Sequence, residues 1–314
     1  MKKILITGAT GQIGTELTAK LRHLYGSDQV VASNVHIHKD NPIYSTGPFE
    51  LLNVKDFDQY LSLAESYQVD TIIHLAAFLS ATAESKPLEA WDLNMNGLIN
   101  GLEVARILGC QFFCASSIGS FGPTTPKDKT PQVTIQRPTT MYGINKLTGE
   151  LLCDYYYDKY KVDTRSLRLP GLISYQALPG GGTTDYAVHI YYEALRQGTY
   201  TSYIRENSYM DMMYMPDAIN AIIKLLEADS TTLKHRNAYN VSSMSICPED
   251  LKLAIQDHIP DFTLFYEVDP IKQGIADSWP DALDVSAAIE DWGFRPIYDI
   301  KAMTQDMLSH LKKK

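Results

Sequence analysis

Basic charge is scarce in this chain. Its 314 residues carry 28 lysines and arginines against 37 acidic residues, a net charge of −9, which argues against a nucleic-acid surface or an anionic membrane as the main partner. The one basic run, Lys312-Lys313-Lys314, reads as a solvated tail. Long apolar runs are lacking too, and none reaches the length that spans a bilayer. The chain opens directly into a strand with no signal-peptide pattern, so a cytoplasmic location is expected. The four cysteines, Cys110, Cys114, Cys153 and Cys247, have no metal-ligand spacing and are expected to be reduced, buried thiols. The eight histidines are dispersed, and no metal is expected. There is no internal repeat and no low-complexity linker.

What remains is the composition of a globular protein, 45% hydrophobic and 21% charged, long enough for one large core or for a main domain with a smaller partner. Through the first half, short apolar stretches at 3–7, 29–33, 71–75 and 111–115 read as strands, separated by segments with helical spacing. This alternation predicts βαβ units and a doubly wound parallel sheet, an α/β fold. A long helix is expected from Pro87 to about Ala105, another from near Thr140 to Tyr160, and a third from Asp185 to Leu195. The Gly-rich run Pro179-Gly180-Gly181-Gly182 precedes the third. Residues 1–171 are expected to form a nucleotide-binding domain and 172–314 mainly a smaller lobe, with about 212–243 returning to the first domain.

Gly8, Gly11 and Gly14 follow the first strand and open a helix, the context a dinucleotide fingerprint requires. Glycine lets the backbone turn tightly and approach a pyrophosphate, whose charge meets the amides at the helix N-terminus. A packing turn would use the same residues, but the position at the start of an alternating chain favours nucleotide binding. At the end of the second strand an acidic residue normally bonds the adenosine ribose of NAD. Asn34 stands there, with His36, His38 and Lys39 nearby; NAD is favoured, with weakened discrimination against NADP.

Tyr142 and Lys146 are four residues apart on an expected helix and share a face, so the ammonium can favour the ionised phenol. A phenolate beside a nicotinamide is a base for alcohol oxidation. Ala115-Ser116-Ser117 ends a strand at its carboxyl edge, where ligands sit in open α/β sheets. Strand-end serines more often serve turns, but Ser117 is expected beside Tyr142 and Lys146. His74-Leu75-Ala76-Ala77 ends another strand with small residues against which a cofactor can lie.

The glycine fingerprint, the trio Ser117, Tyr142 and Lys146, and Asn94 in the long helix resemble the extended short-chain dehydrogenases/reductases, the group with a Rossmann fold that includes sugar-nucleotide epimerases. Within it, the stretches Trp91-Asp92-Leu93-Asn94-Met95-Asn96, Arg168-Leu169-Pro170-Gly171, Gly180-Gly181-Gly182-Thr183-Thr184-Asp185-Tyr186 and Ala276-Asp277-Ser278-Trp279-Pro280 are similar to those of short-chain L-threonine 3-dehydrogenases. The resemblance covers nearly the whole chain. It implies Tyr142 as general base, Lys146 as its charge partner and a ligand of the nicotinamide ribose, Ser117 as the hydroxyl orienting the reacting oxygen, and Asn94 in a water-linked proton relay. It implies Gly8, Gly11, Gln12, Ile13 and Gly14 around the pyrophosphate of NAD. Asn34, Asn53 and Val54 would lie at the adenosine end, with Leu75, Ala76, Ala77 and Pro170 along the rest of the cofactor. Ser80, Thr183, Thr184 and Trp279 would bind L-threonine in the smaller lobe. Thr183 and Thr184 could equally cap the following helix, and Trp279 could be a core aromatic. The resemblance further implies NAD-dependent oxidation of L-threonine and a homodimer paired through the two long helices. Two residues depart from the pattern: Asn34, where aspartate is usual, and Asp211, where proline is commoner. A sugar-nucleotide epimerase or dehydratase would use the same trio with a cationic diphosphate site, and a non-catalytic dinucleotide sensor would be expected to lack part of the trio.

Overall fold

A computed structural model describes residues 1–37, 41–176 and 180–313. His38 and Lys39 beside Asn34, Pro179 of the glycine-rich run and Lys314 of the basic tail lie outside them. The strands are β1 Ile4–Thr7, β2 Val30–Asn34, β3 Phe49–Leu51, β4 Thr71–His74, β5 Gln111–Ser117, β6 Thr164–Leu169, β7 Gly171–Ile173, β8 Thr199–Ser202, β9 Met210–Tyr214, β10 Tyr239–Asn240, β11 Met244–Ile246 and β12 Thr263–Tyr266. Seven of them form one parallel sheet in the order β10-β6-β5-β4-β1-β2-β3. The order reverses between β1 and β4, opening a crevice at their carboxyl ends, where open α/β sheets bind ligands. This is the doubly wound Rossmann fold the alternation predicts.

The central strands are apolar because both sheet faces are covered. Ile4 and Ile6 pack into one cluster with Leu17 and Leu21 of the helix Gln12–Tyr25 and with Ile222 and Leu225 of the helix Met215–Glu227. Leu5, Val31 and Ile72 face the other way, against Tyr60, Leu98 and Leu102. Truncating such a side chain to alanine typically costs about 2–5 kcal/mol.

The strand boundaries differ from the expectation in small ways that matter for the site. β5 runs two residues beyond Ala115 and so carries Ser117 within the strand. β3 has no expected counterpart: its three residues are half-buried or exposed and give no apolar run. The long helix after Pro87 is interrupted, running as α-helix over Pro87–Trp91, as a π turn over Asp92–Asn96 and as α-helix again over Gly97–Leu108. The helix expected from Thr140 spans Met141–Tyr160, with the Thr140 hydroxyl accepting from the Gly143 amide at 3.1 Å as its N-cap.

Beyond β6 the chain divides its contacts. The helix Met215–Glu227 and β10 join the large sheet's layers, while β7, β9 and β11 form a three-stranded sheet and β8 pairs with β12. Tyr186, Ile190, Met212 and Met307 anchor a separate apolar cluster there. All four cysteines are buried and free of disulfides. Among the described residues no helix is long and apolar enough to cross a membrane, and no group of three or more His, Cys, Asp or Glu side chains could hold a metal ion.

Candidate functional site

Gly8 has φ +66, and a Cβ there would lie 2.8 Å from the Ala76 amide nitrogen. Glycine is therefore required both by backbone conformation and by the close approach of the segment after β4. The helix Gln12–Tyr25 begins at Gly11, with no side-chain cap and no acidic residue in its first turn. Its leading amides and positive dipole end are thus available to an anion. The donor set fits a dinucleotide pyrophosphate, and Gly8, Gly11, Gln12, Ile13 and Gly14 all line one cavity of about 450 Å³.

The opposite wall comes from β4 and β5. Leu75 and Ala77 follow β4 and line the cavity. Ser117 ends β5, its Oγ accepting from the Gly119 amide at 3.1 Å. A Cβ on Gly119 would come within 3.1 Å of the Tyr142 ring and 3.5 Å of Ser117 Oγ, so the bare backbone at 119 allows ring and hydroxyl to share this corner. Lys146 Nζ lies 5.4 Å from the Tyr142 ring centroid and donates to the Ala115 carbonyl at 2.6 Å. The tyrosine, the lysine and Ser117 thus converge on the same cavity, as does Pro170 just after β6.

Asn94 lies in the π turn, a form of helix that frequently marks functional positions. Its Oδ1 accepts from the Phe78 amide at 2.8 Å, and its Nδ2 donates to the Phe78 carbonyl and to Asn145 Oδ1. Asn94 and Ala76 line a second chamber of about 30 Å³ behind Lys146, together with His74, Asn145 and Glu150. Burial, followed by the Lys146 charge, pushes His74 down to about 3, so its ring is neutral at physiological pH.

The remaining wall is built from distant sequence. Ser80 opens the helix Ser80–Ser85, and its Oγ lies 3.4 Å from Thr183 Oγ1. Thr183 is buried, and the Thr184 side chain packs so closely on Gly171 that a Cβ there would meet it at 2.8 Å. The helix that follows spans Tyr186–Gln197. The side chain organising this turn is Asp185, whose Oδ2 accepts from the amides of Gly181 and Gly182 at 2.9 and 2.7 Å. Burial raises the Asp185 carboxyl above the ordinary range. Trp279 is buried against Ile118, Phe121, Ile275 and Leu283 and also borders the cavity.

Asn34, Asn53 and Val54 are not among the residues lining it. The Asn34 side chain donates to Thr10 Oγ1 and accepts from the Val35 amide, so it is tied to the glycine turn. Asn53 Oδ1 accepts from the Lys55 amide, and Val54 packs under Gly97. Conversely, Asp185, Phe78 and Thr82 line the cavity without having been singled out from sequence. Asp185 was legible in principle, as the only acid in the Gly-Gly-Thr-Thr-Asp run. Among the described residues Lys146 is the single cation in the lining and Asp185 the single carboxylate.

Similarity to known proteins extends over the whole chain. A protein of Staphylococcus saprophyticus, described as an uncharacterized epimerase/dehydratase, is 60% identical over 314 residues, covering 100% of this chain and 98% of its own. The L-threonine dehydrogenase of Clostridium difficile superimposes with a TM-score of 0.98 at 58% identity, covering 100% of this chain and 98% of its own. A monomeric L-threonine 3-dehydrogenase of metagenomic origin does so with a TM-score of 0.95 at 41% identity, covering 99% of each chain. Residues 4–242 match the family described as NAD dependent epimerase/dehydratase, and the chain belongs to that family.

Proposed function

We propose that this protein oxidises the side-chain hydroxyl of L-threonine with NAD as acceptor, giving L-2-amino-3-oxobutanoate. The observation that carries the reading is the meeting of Tyr142, Lys146 and Ser117 with Ser80, Thr183 and Thr184 around one cavity that also takes in the glycine turn. The full-length likeness to L-threonine dehydrogenases supports the choice of substrate. A bound nicotinamide would supply the hydride acceptor at the carbon bearing the hydroxyl.

The chain's own residues would then do the following. Ser117 Oγ holds the substrate oxygen, and the Tyr142 phenolate takes its proton as general base. Lys146, held by the Ala115 carbonyl, supplies the positive charge that favours the phenolate. Asn94 fixes the segment around Phe78 against the catalytic helix through Asn145. Ser80, Thr183 and Thr184 bind the amino and carboxylate groups, and Trp279 closes the pocket over the methyl group. We assign the residues after β6 that carry this wall to substrate binding and those of the large sheet to the cofactor.

A sugar nucleotide is disfavoured by the lining: the glycine turn serves the cofactor's pyrophosphate, a second diphosphate would need donors of its own, and among the described residues Lys146 is the only cation there. The deciding assay is NADH formation from L-threonine against a panel of alcohols and UDP-hexoses. Turnover of a UDP-hexose with no threonine-dependent NADH would replace this reading by an epimerase.

A further inference from the structure

Glu150 lies one helical turn beyond Lys146 on the helix Met141–Tyr160, and its carboxylate is spent inside the protein. It accepts from Arg168 Nη2 of β6 at 2.7 Å and from Arg168 Nε at 3.0 and 3.1 Å. It also accepts from Ser116 Oγ at 2.5 Å and from Gln136 Nε2 at 3.0 Å. Both charged side chains are 1% exposed. The other Arg168 donors go to the Gln132 carbonyl, Asn240 Oδ1 and Gln136 Oε1.

A buried ion pair is weak evidence for stability, since apolar replacements of similar volume are often as stable. Its position suggests another use. Glu150 and Lys146 line the same 30 Å³ chamber, and the Cys114 thiol in its wall feels the two charges in opposite senses. Salt screens a buried charge only weakly. A free carboxylate at 150 would therefore oppose the field that Lys146 exerts on Tyr142.

We propose that Arg168 is a positioning residue for charge: by neutralising Glu150 it leaves the Lys146 ammonium to act on Tyr142 and so sets the pH at which the phenol ionises. This rests on the reading of Tyr142 as the base. The other titratable groups beside Glu150 and Lys146 are His74 from β4, Cys114 from β5, and Cys153 and Asp154 from the same helix as Glu150; nearer Tyr142, Asp185 borders the larger cavity and Glu84 accepts from the Met141 amide. His235 feels Arg168 from the far side. None of these is changed in the variants below.

Two readouts test it: the pH profile of kcat/KM for L-threonine, and tyrosinate absorbance without cofactor or substrate, taken as the difference between each protein and its Tyr142→Phe counterpart. Arg168→Gln should move the acid limb and the tyrosinate onset to higher pH by about one unit, a roughly tenfold loss of kcat/KM at a fixed pH below the limb. Glu150→Gln, which leaves the arginine charge uncancelled, should move both to lower pH. The double variant should return towards the wild type. Merely loosened packing would not give shifts of opposite sign. If Arg168→Gln does not fold, Glu150→Gln decides alone, because it keeps the volume and an acceptor for Ser116. An unmoved onset in Glu150→Gln, or shifts in one direction for both, would overturn the proposal. Should onsets move as stated while threonine yields no NADH, the substrate assignment fails and the charge role stands. Should threonine be oxidised while the onsets stay unmoved, the charge role fails and the substrate assignment stands.

Discussion

Ser80 Oγ and Thr183 Oγ1 stand 3.4 Å apart although 103 positions separate them in sequence. Ser80 follows β4 of the large sheet, whereas Thr183 follows the glycine run beyond β7, so this contact joins segments from the two halves of the chain in the proposed substrate wall. The pair is buried and borders the cavity that the glycine turn and Trp279 also line.

The substrate assignment makes the first prediction. A small zwitterion offers few atoms, so selectivity requires several polar contacts and exclusion of water. Thr184→Ala should raise KM for L-threonine and leave NAD binding unchanged. Serine, lacking the methyl group, should lose about 10 to 200-fold in kcat/KM, roughly 1 to 3 kcal/mol. Isothermal titration with NAD alongside steady-state kinetics checks both; weakened NAD binding with normal KM would assign the loop to the cofactor instead.

Tyr142→Phe removes the reacting oxygen and keeps the ring that packs near Gly119. Turnover should fall by at least about 100-fold, the usual worth of a general base, with NAD affinity nearly intact. Lys146→Ala should harm both turnover and NAD binding. Near-wild-type kcat in Tyr142→Phe would remove the base assignment.

We propose that Asn34, at the end of β2, bears on cofactor choice. Its amide is neutral and already bonded to Thr10 and to the Val35 amide, so it offers no charge against a 2′-phosphate. NAD should be preferred with NADP partly accepted. Asn34→Asp should widen the gap in kcat/KM by charge repulsion. Equal or better use of NADP by the wild type would reverse the expectation.

Much of this fold was legible because its signals are local. Apolar runs of four or five residues mark β1, β2 and β4, and glycine spacing marks the first turn. Four-residue spacing places Tyr142 and Lys146 on one helical face. The features that escaped are those set by distant partners. Asn94 in the π turn bonds Phe78 and Asn145, partners that no window around residue 94 contains. Asp185 reads as a helix-start acid until the backbone of Gly181 and Gly182 is seen to fold back on it. Glu150 reads as one more polar helical residue until Arg168, 18 positions on, is found against it. The pairing of β6 with β10 likewise joins segments about 70 residues apart, which periodicity cannot see.

Assembly is open to a direct measurement. Leu88, Trp91, Ile144, Leu151 and Tyr155 are exposed on the helical segments Pro87–Trp91 and Met141–Tyr160. We propose that a two-fold axis pairs these helices with those of a second copy. Light scattering should give a dimer at micromolar concentration, and Leu151→Glu should give a monomer. A monomeric wild type, like the metagenomic relative, would count against the pairing.

Asp211 supplies a pH dependence of stability. The side chain is fully buried on β9, accepting from Ser242 Oγ and, at 2.8 Å, from the Leu283 amide, so it clasps the segment that carries Trp279. Burial raises its carboxyl to about 7, against an ordinary 3.8, with those hydrogen bonds opposing the rise. Between these two values the folded protein binds more protons at this site than the unfolded chain, so stability falls as pH increases. The contribution is complete below the unfolded value and is lost as pH rises through about 7. Asp211→Asn keeps the shape and an acceptor for the Leu283 amide but cannot ionise. The melting temperature of the variant should therefore gain on that of the wild type as pH goes from 4 to 8, because the wild type loses at most about 1.4 kcal/mol for each pH step of one across that window. Parallel melting curves across that range would show that Asp211 titrates as an ordinary surface carboxylate and that its clasp on the tryptophan segment carries no penalty at neutral pH.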